Sequence, residues 1–392
     1  MIRSAQRTVD TTPWTPLTAK KCATTVFLHE SVYDLTVEVR KGSTVDSVVV
    51  RANVRNLLIV ALGGSYASGE GNPRNVEAWA RGGSAGPLDP YWDDDACRRS
   101  ARGAPAQAAL LLEDPSPTTS VTLVDVACSG ATVNQGILGS QPSAAIAESQ
   151  IERARAIVGS HPVDLVTMSV GGNVAGFTSV LEACALRTDC PLARASRQHL
   201  SSYPTLQDGV QAETGALAAK YRRIATCLGG VWCTVADGRV VPGLPIAAHA
   251  RVLPSMYPDI TRAANGQPCS YLTIAPKDFA WASQTILNPS PPNPYSYTLA
   301  RGGATSLSVA RGSPNQQVAA SAAVPGWLPV ASTWGASGNS RIGHGVCAGD
   351  DAWAFGLTVL STMPSASFHP NIEGQHAMAT ALTQAMSAAA AR

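Results

Sequence analysis

The stretch "LLIVALGGSYASGEGNP", residues 57–73, constrains the fold of this chain more than any other. Six apolar residues, Leu57 to Leu62, stop abruptly at Gly63 and Gly64 and are followed by Ser65. A short apolar run bounded by turn residues reads as a buried strand, and the paired glycines let the chain turn steeply at its end. Open α/β sheets take their ligands at the carboxyl ends of strands, so position alone makes Ser65 a candidate nucleophile. Beyond Asn56 the pattern repeats. "SVTLVDVAC" and "PVDLVTMSV" read as strands, while "GAPAQAALLLE", "AAIAESQIERARAIVGS" and "NVAGFTSVLEACAL" read as helices. Such alternation implies βαβ units and a parallel sheet covered on both faces, an α/β class. One long helix is expected over "GVQAETGALAAKYRRIATCL", a strand over "AHARVLPSMY", and a closing helix over "NIEGQHAMATALTQAMSAAAA". Residues 287–325, rich in Pro, Ser, Gly and Asn, read as either a long ordered loop or a mobile flap.

The segment before Asn56 is different. "TTVFLHE", "YDLTVEV" and "DSVVVRANV" are β-rich and broken by the turn-like "RKGST". The expected division is a β-rich extension over 1–54 and a main domain over 55–392. A net charge of +2 gives no electrostatic case for nucleic acid or an anionic membrane. No apolar run approaches the roughly 20 residues of a membrane span, so stable insertion is not expected.

Nine cysteines are many for a chain with 14% charged residues. Cys184 and Cys190 could close a small loop, as could Cys227 and Cys233, while Cys97 with Cys128 and Cys269 with Cys347 would bridge longer segments. Cys22 is left over, and connectivity stays open at this level. No C-x-x-C pair is present, so no metal site is expected. Cysteine usage favours an oxidising compartment, secreted or periplasmic, over a cytosol with free thiols. The start lacks a basic-then-apolar leader, so any signal peptide is expected to have been removed or replaced.

Three of the expected strands end in small residues. "ALGGS" brings Ser65, "VACSGAT" brings Gly130 and "SVGGNVAGF" brings Asn173, while "SFHPNIEGQHAMA" brings His369 just before the last helix. Singly these are ordinary turns and caps. Together, in this order, they resemble the SGNH (GDSL) hydrolases, most closely the secreted bacterial esterases and lipases, over about residues 56–385. The first block there commonly reads G-D-S-Y-A-S-G-E-G, and this chain has Gly63-Gly64-Ser65-Tyr66-Ala67-Ser68-Gly69-Glu70-Gly71. The resemblance implies a three-layer α/β/α flavodoxin-like fold and ester hydrolysis through an acyl-enzyme without a cofactor. It further implies Ser65 as nucleophile, His369 as base, and the Ser65 and Gly130 N–H groups with the Asn173 amide as oxyanion donors. A hydroxyl needs an adjacent base to become nucleophilic, and the tetrahedral oxyanion needs preorganised donors.

Three positions depart from the family pattern. Gly64 stands where the family has Asp, Val174 follows Asn173 where Asp is common, and Ala366 stands where the acid of D-x-x-H would sit. The triad is therefore expected to reduce to a Ser–His dyad, with His369 held by a backbone carbonyl or by Asp350 or Asp351. The expected partner is an acyl ester of a lipid, small molecule or glycan, and the expected state a monomer. Alternatives are a carbohydrate O-deacetylase or acyltransferase, and a non-catalytic binding module on the same scaffold. The acids of "YWDDDAC" read as a solvated loop rather than a calcium site. Tyr66, Trp334, Trp353 and Phe355 are pocket or packing candidates, Arg341 and His344 belong to a family-like block, and His344 is a weaker alternative base.

Overall fold

The computed structural model describes residues 2–6, 26–75, 89–187, 189–195, 199–270, 274–282, 313–331, 334, 343–358 and 364–390. By internal contacts the chain forms two units: 1–57 with 112–122, and 58–111 with 123–392.

The first unit is antiparallel. Strand β1 (Ile2–Gln6) pairs with β2 (Ser31–Lys41), which pairs in turn with β3 (Thr44–Gly63). Lys41 faces Thr44, so Gly42 and Ser43 form a two-residue hairpin turn, and Gly42 takes the positive φ of +61° that such turns favour. "DSVVVRANV" and "LLIVAL" do not form separate strands. They are parts of the one strand β3, exposed near its start at Val45, Val48, Val49 and Val50 and fully buried at Ile59–Leu62.

The second unit is α/β/α, with a parallel arrangement around the end of β3. Its elements are α1 (Ser65–Ser68), all but the end of α2 (Ala104–Glu113), the last residues of β4 (Thr119–Asp125), α3 (Gln150–Val158), β5 (Val163–Ser169) and α4 (Phe177–Leu186). There follow α5 (Leu206–Gly215), α6 (Leu217–Cys227), the hairpin β6 (Trp232–Thr234) and β7 (Val240–Pro242), and β8 (Ile246–Pro254). Short helices α7 (Pro276–Ala282) and α8 (Pro314–Ala320) precede the closing α9 (Ile372–Ala390). Strand order is β4-β3-β5-β8, with β3 parallel to β5 and β5 parallel to β8. Strands covered on both faces need apolar residues on both, which explains the unbroken "LIVAL" of β3 and the buried Val163, Leu165, Val166 and Met168 of β5. Val60, Leu62, Val166, Met168, Ile151 and Ile224 belong to the resulting core.

Local chemistry moves several expected boundaries. Helix α3 begins at Gln150 rather than near Ala144, because Ser149 and Glu152 form a reciprocal capping box. The single helix expected after Gly209 is two: α5 ends at Gly215, a poor helix former, and α6 starts at Leu217, with Ala216 between them. Of the expected loop 287–325, the part 287–312 lies outside the described residues. The remainder is not loop. Ser313 caps α8 with Gln316, and the buried Asn315 exchanges two hydrogen bonds with the Tyr257 backbone. Among the described residues no helix is long and apolar enough to cross a membrane.

Candidate active site

Strand β3 ends in a turn that only glycine can make. Gly63 has φ +147°, and a Cβ there would lie 2.5 Å from the Ser169 carbonyl oxygen. Gln150, the first residue of α3, clamps the turn, accepting from Gly63 N–H and donating to Gly63 O, each at 2.9 Å. Gly64 N–H donates to Ser169 O, and Ser65 opens α1. Ser65 is buried to 6% exposure, and neither its N–H nor that of Gly130 has an acceptor among the described residues. Gly130 adopts φ +81°, so glycine is required there by backbone conformation.

The Asn173 amide reaches toward the same turn. Its Nδ2 donates to Ala131 O at 3.1 Å, which leaves its second N–H for another acceptor. A Cβ on Gly64 would lie 3.0 Å from that Nδ2 and 3.3 Å from Ala131 O. The glycine thus makes room for Asn173 to bond the Gly130 loop directly, in place of the carboxylate side chain. Val174 is buried among apolar residues, and its carbonyl accepts from His199.

His369 is held from all sides. Its Nδ1 lies 3.0 Å from the Ser367 carbonyl oxygen, which can only accept. Nδ1 therefore carries the proton, and Nε2 of the neutral ring is the basic nitrogen. Nε2 is buried without a hydrogen-bond partner. A carbonyl does what the absent acid at Ala366 would do for tautomer and orientation. Neither Asp350 nor Asp351 contacts the ring through its carboxylate; Asp351 instead offers its carbonyl to His344 Nδ1. His344 is stacked on Trp353 with ring centroids 3.6 Å apart. Trp334 packs edge-on to Trp353, and Phe355 lies against Gly71.

Two residues of the first block tether the histidine loop. Tyr66 Oη donates to Phe368 O at 2.9 Å, and Asn72 Nδ2 donates to Pro370 O at 2.7 Å. Burial pushes the Tyr66 phenol far above its ordinary range, so it stays a neutral donor. Phe368 itself sits at φ +63°, uncommon for a residue with a side chain, and its ring is buried.

Glu70 is the residue that sequence reasoning left out. It is 4% exposed, and its Oε2 lies 3.6 Å from His369 Nε2. Arg98 donates to Oε1 at 2.9 Å, and Ser129 Oγ donates to Oε2. The signal was present in the quoted block, five residues after Ser65, where the turn of Gly69 brings the chain back toward the site.

Glu70, Ser129, Gly130 and His369 line one cavity of about 1010 Å³. Phe177, Leu181, Ala185 and Leu186 of α4 give it an apolar side; Asp95, Arg98 and Ser143 give it polar edges. No hydrogen bond joins Ser65 Oγ to His369 Nε2, a contact that in free enzymes often forms only with substrate. The other candidates lie elsewhere. Asp93 accepts from Ala101 N–H and pairs with Arg74, and Asp94 pairs with Arg99, so these acids serve their own loop. Disulfides join Cys97 to Cys128, Cys184 to Cys190, Cys227 to Cys233 and Cys269 to Cys347. Cys22 and Arg341 lie outside the described residues.

Gly130 and the carbonyl-held His369 thus line one cavity, while Ser65 and the Asn173 amide meet at the Gly63–Gly64 turn and are not among its lining residues. The chain resembles the SGNH hydrolases. No protein-family model matches it, and no curated protein matches it. Among solved structures it is similar to an extracellular lipase from Streptomyces rimosus, at 20% identity over 84% of this chain and 99% of that one, with a TM-score of 0.49. It is also similar to phospholipase A1 from Streptomyces albidoflavus, at 18% identity over 83% and 98% of the two chains, TM-score 0.45. A carbohydrate acetylesterase from Sinorhizobium meliloti shares 12% identity over 85% and 99%, TM-score 0.35. The chemistry of the site rests on its own residues.

Proposed function

We propose that this protein is a secreted SGNH-type serine hydrolase that cleaves carboxylic esters through an acyl-enzyme, using a Ser65–His369 dyad. One observation carries the reading. His369 has Nδ1 committed to a carbonyl and a basic, unpartnered Nε2 beside a cavity that also meets Gly130.

Each residue then has a task. Ser65 Oγ attacks the ester carbonyl carbon as its proton passes to His369 Nε2. The oxyanion takes hydrogen bonds from the Ser65 and Gly130 N–H groups and the free N–H of Asn173. Collapse breaks the bond to the alcohol, which receives the proton from Nε2. Water, deprotonated by the same nitrogen, then releases the acid and restores Ser65. The apolar α4 side of the cavity suits the acyl chain, and the polar edge suits the alcohol. Four disulfides support an oxidising, extracellular setting.

The test is hydrolysis of p-nitrophenyl esters from acetate to palmitate. Ser65→Ala should lose at least ~10³ of kcat, in keeping with loss of a nucleophile, while melting like the parent. Equal turnover in the variant overturns the nucleophile assignment. An optimum at acetate, falling sharply with chain length, would favour the deacetylase reading over the lipid one.

A further inference from the structure

We propose that Glu70 is a positioning residue for the reaction, a carboxylate that supports His369 from its Nε2 side and so takes over the charge role of the missing acid. The inference rests on the dyad reading above. It starts from an asymmetry. The family-like acid position is Ala366, and the carbonyl of Ser367 fixes the ring but brings no full negative charge. The nearest carboxylate to the ring is Glu70, with Oε2 3.6 Å from Nε2.

That contact changes meaning during the reaction. While Nε2 is a lone pair it cannot donate to Glu70, which agrees with its lack of a hydrogen-bond partner. Once Nε2 takes the Ser65 proton, the ring is an imidazolium facing a buried carboxylate. The attraction is strong only in that charged state, so it lowers the barrier rather than tightening ground-state binding. The proton itself stays on Nε2 until it passes to the leaving oxygen; Glu70 neither accepts nor releases it.

The surroundings keep Glu70 fit for this work. Arg98 and Ser129 occupy one oxygen each, which fixes the carboxylate through charge-assisted hydrogen bonds. Arg98 is held at φ +47°, next to the Cys97–Cys128 disulfide. Ser129 precedes Gly130, and its own N–H donates to Cys97 O at 3.0 Å. One side chain therefore links the nucleophile segment, the oxyanion loop and the base. Among the described residues, the Tyr66 phenol, committed to Phe368 O, is the other titratable group packed on the ring, and Asp95, Arg98 and Glu182 are the charged groups that line the same cavity.

Glu70→Gln keeps the shape and, with its amide oxygen toward Ser129, that bond, but removes the charge and with it the Arg98 ion pair. Its kcat should fall ~10- to 100-fold with KM within about threefold, and the acid limb of its kcat/KM profile should move to lower pH, because an imidazolium that loses a facing carboxylate gives up its proton more readily. Glu70→Asp should recover part of both effects. Ser129→Ala, which disturbs the loop but leaves the charge, should lower kcat without moving the acid limb. A Glu70→Gln enzyme with an unmoved acid limb overturns the proposal, whatever its kcat. The NMR titration of the His369 ring, parent against Glu70→Gln, tests the same coupling without any substrate, and its midpoint should move in the same direction. A parent that turns over no ester would sink the hydrolase reading, yet leave this ring titration able to uphold or reject the Glu70–His369 coupling.

Discussion

Asp125 shows how a single buried group leaves its mark on the pH dependence of the whole protein. It ends β4, its Oδ1 accepts from Ala127 N–H at 2.9 Å, and its Oδ2 is buried with no partner. Burial pushes its carboxyl up to about 7 from an ordinary 3.8, against the pull of Arg99 and Arg153. The folded state therefore holds this proton more tightly than the unfolded state does. Its contribution to stability is fully present below pH 3.8 and is lost as pH rises to about 7. Asp125→Asn cannot ionise, and its amide oxygen can keep the Ala127 bond. The variant should melt higher than the parent at pH 8, with the gap closing toward pH 4; thermal scans across that range check it. A constant gap at every pH would mean that packing, not ionisation, sets the cost of this site.

At the scale of elements, the Ser65 segment and the His369 loop are one construction, although about 300 residues separate them in sequence. Tyr66 bonds the carbonyl before His369 and Asn72 the carbonyl after it, with sequence separations of 302 and 298. Tyr66→Phe would leave the buried Phe368 O unpaired, which costs about 1–3 kcal/mol. It should also release the strained turn at Phe368, lowering kcat ~10-fold with KM within about twofold. Matched kinetics and melting curves separate this from simple destabilisation: the kcat loss should persist far below the melting temperature. The same pairings mark the limit of what the sequence discloses. The apolar run "LLIVAL" and the largely apolar "PVDLVTMSV" declare buried parallel strands, and block order points to Ser65, Gly130, Asn173 and His369. Periodicity has no means of revealing that α5 and α6 break at Ala216, where one glycine outweighs an amphipathic pattern, or that β3 continues through Asn56. Nor does D-x-x-H spacing reveal Glu70, because its approach to His369 depends on a turn at Gly69 and on folding across the chain.

For the molecule as a whole, the four disulfides divide into two kinds of work. Cys184–Cys190 and Cys227–Cys233 each close a separation of 6 residues, and loop entropy assigns such short closures about 2 kcal/mol. Cys97–Cys128 spans 31 residues and Cys269–Cys347 spans 78, closures worth about 4 kcal/mol each on the same scale. The long pair should therefore dominate the loss of melting temperature on reduction. Their effects on activity should differ, because only Cys97–Cys128 adjoins the Ser129–Gly130 loop through the Cys97 O bond to Ser129 N–H. Replacing Cys97 and Cys128 by serine should lower both stability and kcat, whereas the same change at Cys269 and Cys347 should lower stability by a similar amount with a smaller loss of kcat. Rates measured well below each melting temperature, beside thiol titration of the denatured chains, decide it. With eight of the nine cysteines paired, the unreduced parent should yield no more than one thiol and the reduced parent nine. Equal kcat losses in the two double variants would show that the disulfides protect the fold in general, and that the Ser129–Gly130 loop keeps its shape without a covalent clamp.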